Sequence, residues 1–191
     1  MTALILNIPA ETCLSDEQFF QLCQANRDLR IERNANGDLV IMPPTGGNTS
    51  RRNSEVSADL VIWNRKTKLG VVFDSSGGFK LPNGAERSPD AAWVTLDRWN
   101  SLTPNQQERF IPLAPDFVIE LRSPSDSLSA LQKKMQEYID NGTRLGWLLN
   151  RQDRQVEIYR PHQPKQVLQF PTTLSGEEVL PGLVLDLSAI W

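Results

Sequence analysis

The chain has 191 residues, 39% of them hydrophobic and 23% charged, with a formal net charge of −3. That length suits one domain over residues 1–191, with interior enough for a central sheet and flanking helices. The acidic balance excludes a strongly basic protein that coats nucleic acid by charge alone, but leaves room for a local basic groove. The two cysteines, Cys13 and Cys23, are too few for a disulfide framework and too isolated for a zinc cluster. Cys23 reads as a buried thiol in a reducing cytoplasm. The opening "MTALILNIPAET" has no basic leader and no small-residue cleavage pattern, and no apolar stretch is long enough to span a membrane.

Residues 14 to 26, "LSDEQFFQLCQAN", read as a helix capped by Ser15 with Gln18 closing a capping box. "LRIERNANGDLVIMPP" reads as a hairpin turning at Asn36-Gly37 and stopped by Pro43-Pro44. A loop from Thr45 runs into a helix capped around Asn48 to Ser50, with Val56, Leu60 and Trp63 as its buried stripe. "GVVF" and "AAWVTL" are strands, and residues 97 to 115 form an insert with Thr103 and Pro104 opening a short helix. "DFVIEL", 116 to 121, is an apolar strand of the kind covered on both faces. A helix follows from about Ser127 to Asn141, stopped by Gly142. The strands "RLGWLL", "RQVEIYR" and "KQVLQF" come next, the last two as a hairpin, and "GLVLDLSAIW" closes the domain. The pattern predicts an α/β fold with a mixed central sheet, flanking helices and added β-hairpins.

Two acids interrupt apolar strands. Glu120 sits inside "FVIEL", and Asp90 stands where "SPD" enters "AAWV". If those strands are neighbours the two carboxylates approach, and they are stable together when they share a proton or hold a cation. Oxygen ligands without cysteine or clustered histidine suit Mg2+ or Mn2+, with the Leu121 carbonyl as a third ligand. The plainer alternative has Asp90 capping a turn and Glu120 paired with Arg122 or another base. In the next helix Leu128, Leu131, Met135 and Ile139 share the buried face, which turns Lys133 to solvent and leaves Lys134 at the rim. From there Lys134 either snorkels over apolar surface or reaches the acids, where an ammonium would orient a water or steady charge on a phosphate.

The ordered set "SPDAAWV", "PDFVIELRSPSD" and "LQKKMQEYIDNGTRLGWLLN" resembles the Uma family of restriction-endonuclease-like proteins, which is assigned to the PD-(D/E)XK nuclease superfamily. The resemblance spans roughly residues 15 to 187. It implies a restriction-endonuclease-like core and a Mg2+-dependent endonuclease acting on nucleic acid, DNA above all. Asp90 matches the first metal-binding acid and Glu120 the second. The strand lysine of the superfamily is replaced here by Arg122, which stays protonated at any working pH and so suits phosphate binding better than proton abstraction. The family's lysine moves to the following helix, where Lys134 matches. Glu55, in "RRNSEV", matches the glutamate of the preceding helix. Arg51 and Arg52, at the start of that helix, either grip the nucleic-acid backbone or form a solvated first turn paired to Glu55. A homodimer is the expected assembly, since two-fold pairs are the commonest oligomers.

Other features are structural. "PTGG" lacks the phosphate-loop pattern, His162 lies in a hairpin loop, and Trp93 and Trp147 belong to the core. The main rival is a non-catalytic interaction or assembly protein on a worn nuclease fold. A glycosidase with paired carboxylates comes far behind, because it has no use for a lysine beside both acids.

Overall fold

The computed structural model describes residues 3–191. Two larger sheets, a two-stranded ribbon and two main helices build the frame. In chain order the elements begin with β1 (Leu4–Leu6), α1 (Asp16–Ala25), β2 (Arg30–Arg33), β3 (Leu39–Met42), α2 (Gly47–Thr67) and β4 (Gly70–Asp74). They continue with β5 (Phe79–Lys80), β6 (Glu86–Arg87), β7 (Ala91–Thr95), α3 (Leu96–Asn100), α4 (Pro104–Gln107), β8 (Phe117–Leu121) and α5 (Leu128–Asp140). The last are β9 (Leu145–Asn150), β10 (Gln155–Tyr159), β11 (Gln166–Gln169), β12 (Thr173–Ser175) and β13 (Val184–Asp186). Among the described residues no helix is long and apolar enough to cross a membrane.

The larger sheet runs β11-β10-β9-β8-β7-β4, and β8 and β9 are its parallel pair, joined through α5. Strand alternation sorts its residues into two cores. Trp93, Phe117, Ile119 and Trp147 face one side and pack with Val56, Leu60 and Trp63 of α2. Ala92, Val94, Val118 and Leu148 face the other and pack with Met135, Tyr138 and Ile139 of α5. Trp93 and Trp147 are core residues as expected, and Trp93 meets Trp63 of α2 edge to face at 5.6 Å. Gly146 is the residue that lets α5 lie close, since a Cβ there would sit 2.5 Å from the Met135 methyl.

The smaller sheet runs β1-β3-β2-β6-β5, and side chains of β2 reach Asp90 and Lys134. Its strands β2 and β6 carry a charge on nearly every position. Arg30, Glu32 and Arg87 serve the larger sheet, as described below. The alternate residues Arg33 and Glu86 face α1, where Arg33 binds Asp16 at 2.6 Å and Glu86 at 3.0 Å. The capping box of Ser15 and Gln18 starts α1 as expected. The predicted two-residue hairpin turn is longer than expected: Asn34 to Asp38 loop out, closed by Asn34 N–H donating to the Asp38 carbonyl, with Gly37 at φ +93°. The cap of α2 also differs, falling on Gly46 with no side-chain bond. Cys23 is half-buried, and burial pushes its thiol up to about 11.

Glu86 is 4% exposed, and burial raises its carboxyl to about 7 despite Arg33. In the unfolded chain the same group titrates near 4.5. The folded protein therefore keeps a proton that the unfolded chain has lost between those two values. The resulting stability is complete below the lower pKa and disappears as pH rises through the upper one. Glu86→Gln, which imitates the neutral acid, should melt with the wild type at about pH 5 and several degrees above it at about pH 8. A constant difference in melting temperature across that range would refute the buried, proton-holding role of Glu86.

Candidate active site

The register of the sheet creates the acid pair. β7 runs antiparallel to β8 with Ala91 opposite Ile119 and Ala92 opposite Val118. Continued by one residue, the same register sets Asp90 opposite Glu120. Glu120 is 4% exposed, on the α5 face of the sheet. Asp90 lies just outside the strand and is fixed from three directions. Its Oδ2 accepts from the Leu121 amide at 2.8 Å, and its Oδ1 accepts from Asn53 Nδ2 of α2 at 3.0 Å. Arg30 of β2 stands 3.6 Å from the same Oδ1.

Lys134 reaches this pair from the second turn of α5, but not as a snorkelling side chain. Its side chain is only 14% exposed, and the ammonium sits between Glu120 Oε1 at 2.8 Å and Glu32 Oε1 at 2.9 Å. Lys133 is exposed, as the helical wheel requires. Tyr138, fully buried one turn on, donates its hydroxyl to Glu120 Oε1 at 3.1 Å. Both bonds to Glu120 fall on Oε1, and among the described residues Oε2 receives none. Glu32 is itself held by the Ser88 amide at 2.9 Å and by Arg87 at 3.4 Å, and Arg87 also binds Glu137 at 2.6 Å.

The charges do not balance. Glu32, Asp90, Glu120 and Glu137 face Arg30, Arg87 and Lys134, four acids against three cations. Glu120 absorbs the excess. Burial raises its carboxyl to about 7 against the pull of Lys134, and the charges on Asp90 and Glu32 push the same way. Glu32 is equally buried, yet Lys134 and Arg87 together bring it below the ordinary glutamate value. Burial alone would lower Lys134, but Glu120 and Glu32 outweigh it, so the lysine stays protonated.

Four predicted site residues lie outside this network. Glu55 is half-exposed and pairs with Arg51 at 3.7 Å. Two residues along a helix is about 200° of rotation, so the side chain of α2 that meets Asp90 is Asn53 and Glu55 points away. Arg122 bonds Asn150 at 3.1 Å and Asp153 at 3.4 Å, which ties the ends of β8 and β9 and takes it from the acid pair. Arg52 is 7% exposed and donates to the Ile190 and Asn48 carbonyls at 2.7 and 2.9 Å. Arg51 donates to the Ala189 carbonyl at 3.1 Å. These two arginines moor the C-terminal segment to α2. Sequence reasoning missed Arg30, Glu32, Arg87 and Asn53. The alternation of "RIER" was the available signal, since Arg30 and Glu32 share a strand face.

The fold that carries this cluster has relatives. The chain belongs to the Uma2 family, described as "putative restriction endonuclease", which it matches over residues 16–188. That membership agrees with the PD-(D/E)XK superfamily assignment. Among solved structures it is similar to a "putative nuclease belonging to DUF820" from Anabaena variabilis, with 20% identity, a TM-score of 0.79, and coverage of 93% of this chain and 97% of the other. At that identity the likeness shows the fold: a restriction-endonuclease-like α/β core. No curated protein matches the chain.

The mooring role of Arg52 gives a direct expectation. Arg52→Gln should lower the unfolding free energy by about 2 kcal/mol, the loss of charge-assisted bonds to buried carbonyls. It should leave any nucleic-acid affinity unchanged. Full stability with weakened binding would instead return Arg52 to the interface.

Proposed function

We propose that this protein is a divalent-metal-dependent endonuclease that hydrolyses the phosphodiester bonds of DNA. The observation that carries the reading is the meeting of Asp90, Glu120 and Lys134 where β7 joins β8. The residues fit a hard cation. The donors are oxygens only, the cluster holds one more acid than cation, and Glu120 Oε2 is unspent. Among the described residues no group of three or more histidines, cysteines and acids forms a ready-made cage. Mg2+ commonly uses one or two carboxylates and keeps waters for the rest.

Asp90 and Glu120, with the Leu121 carbonyl, would hold Mg2+ or Mn2+. Bound there, the ion supplies Lewis acidity toward the phosphate and a water made nucleophilic at neutral pH. The protein's own groups do the positioning. Asn53 and the Leu121 amide fix the Asp90 carboxylate, and Tyr138 fixes Glu120. The Lys134 ammonium, preorganised between two acids, steadies negative charge that grows on the phosphate. Two copies about a two-fold axis would offer one such site to each strand of a duplex.

The second reading, an interaction module on a nuclease fold, draws on one observation. Lys134 is already satisfied by Glu120 and Glu32, so the cluster holds together without a metal. Cleavage assays with Mn2+ on duplex DNA, single-stranded DNA and RNA separate the two. Asp90→Asn should abolish cutting. Lys134→Met should lose on the order of a hundredfold or more while still binding metal, and Lys133→Met should stay near the wild type. Wild-type protein that cuts none of the three substrates and gives no heat of Mn2+ binding would establish the interaction module.

The same site predicts a pH dependence. A metal takes the carboxylate form of Glu120, which is scarce below its pKa of about 7 and complete above it. Mn2+ affinity, followed by calorimetry, should rise through that pH and level off beyond it. A flat profile from about pH 6 to about pH 8 would contradict the participation of Glu120.

A further inference from the structure

A strand that enters this site brings a phosphate toward four carboxylates, so it needs a cation with donors to spare. Most of the cations nearby are each bound to two or more partners. Lys134 is divided between Glu120 and Glu32, and Arg87 among Glu137, Glu32 and Asn34. Arg122 is occupied by Asn150 and Asp153, and Arg52 by two buried carbonyls. Arg30 is the exception. One terminal nitrogen donates to the Ser88 carbonyl and the other lies 3.6 Å from Asp90 Oδ1, so the terminal N–H groups are the least committed of the set. Its side chain is also the most open of the three cations around the acid pair, 27% exposed against 14% for Lys134 and 10% for Arg87.

The geometry points to Arg30 as the residue that binds the phosphate of the nucleic-acid strand at the Asp90 carboxylate, an inference that rests on the nuclease reading. The bond to the Ser88 carbonyl pins the guanidinium before the ligand arrives, so little side-chain entropy is left to lose. A planar fork with unspent N–H groups matches the non-bridging oxygens of a phosphodiester better than a point charge does. Its contact with Asp90 is too long for a good hydrogen bond, so a phosphate does not have to break one. Across the same Asp90 oxygen stands Asn53, whose Oδ1 is a buried acceptor without a partner among the described residues. An acceptor there cannot take a phosphate oxygen but does suit a water carried in beside it. Arg30 thereby takes the phosphate-binding role expected of Arg122.

The salt dependence of binding tests this, because each phosphate contact adds a fixed increment to its slope and a purely structural role adds none. Fluorescein-labelled duplex and single-stranded DNA would be titrated in Ca2+, a hard ion that occupies oxygen sites, with strand integrity checked on gels. Arg30→Gln should weaken binding about tenfold and flatten the log–log slope by about 0.9 on duplex or about 0.7 on single strands. Arg122→Gln should leave the slope unchanged. Arg30→Lys, which keeps the charge and loses the fork, should keep the slope but bind less tightly. A wild-type slope in Arg30→Gln, or wild-type affinity in Arg30→Lys, would overturn the role of Arg30 and leave the nuclease reading standing. No salt-dependent binding of either DNA by the wild-type protein would overturn both.

Discussion

A carboxylate buried in the middle of a six-stranded sheet must be compensated, and Glu120 is compensated from outside its own sheet. The compensating ammonium comes from α5, and its other partner, Glu32, comes from the smaller sheet. One lysine thus links the two sheets and the helix that crosses the larger one. Removing Lys134 would leave Glu120 buried without its cation, which costs far more than an exposed ion pair is worth. The remaining charges extend the same chain: Glu32 to Arg87, and Arg87 to Glu137 on α5. The smaller sheet is consequently part of the site, since it supplies Arg30, Glu32 and Arg87 at the mouth of the acid pair.

Such a network is a poor way to gain stability, because desolvation consumes most of what pairing returns. Its more evident product is preorganisation. Each functional oxygen of Asp90 has a donor fixed on it, and Glu120 carries both its bonds on one oxygen. With one acid in excess, Glu120 titrates at about 7. Two neighbouring buried glutamates thereby behave differently, Glu32 staying charged and Glu120 exchanging its proton near neutrality. Perturbed groups of this sort gather at functional sites.

Local rules made much of the fold legible. The capping box of α1, the limits of α5 between Ser127 and Gly142, and the alternation of β7 and β8 all follow from residues adjacent in sequence. Alternation also suffices for the meeting of Asp90 and Glu120, once the two strands are neighbours. What resisted sequence reading was long-range pairing. Arg122 shares the parity of Glu120, yet it lies past the strand end, where Asn150 and Asp153 capture it. Arg52 looks like a solvent-facing helix start until the C-terminal carbonyls, 138 residues on, close over it. The burial of Lys134 depends on Glu32, 102 residues away on a different sheet. The family resemblance chose Lys134 but could not show that it is enclosed.

The central claim is that Asp90 and Glu120 form one cation site beside a protonated lysine. Anomalous diffraction from crystals grown with Mn2+ at a pH above the Glu120 transition tests it most directly. The account predicts one peak on the order of 2 Å from an oxygen of each carboxylate, with the Lys134 ammonium still bound to Glu32. A peak elsewhere, or crystals at saturating Mn2+ in which the Lys134–Glu120 pair is intact and no peak touches Asp90, would contradict it.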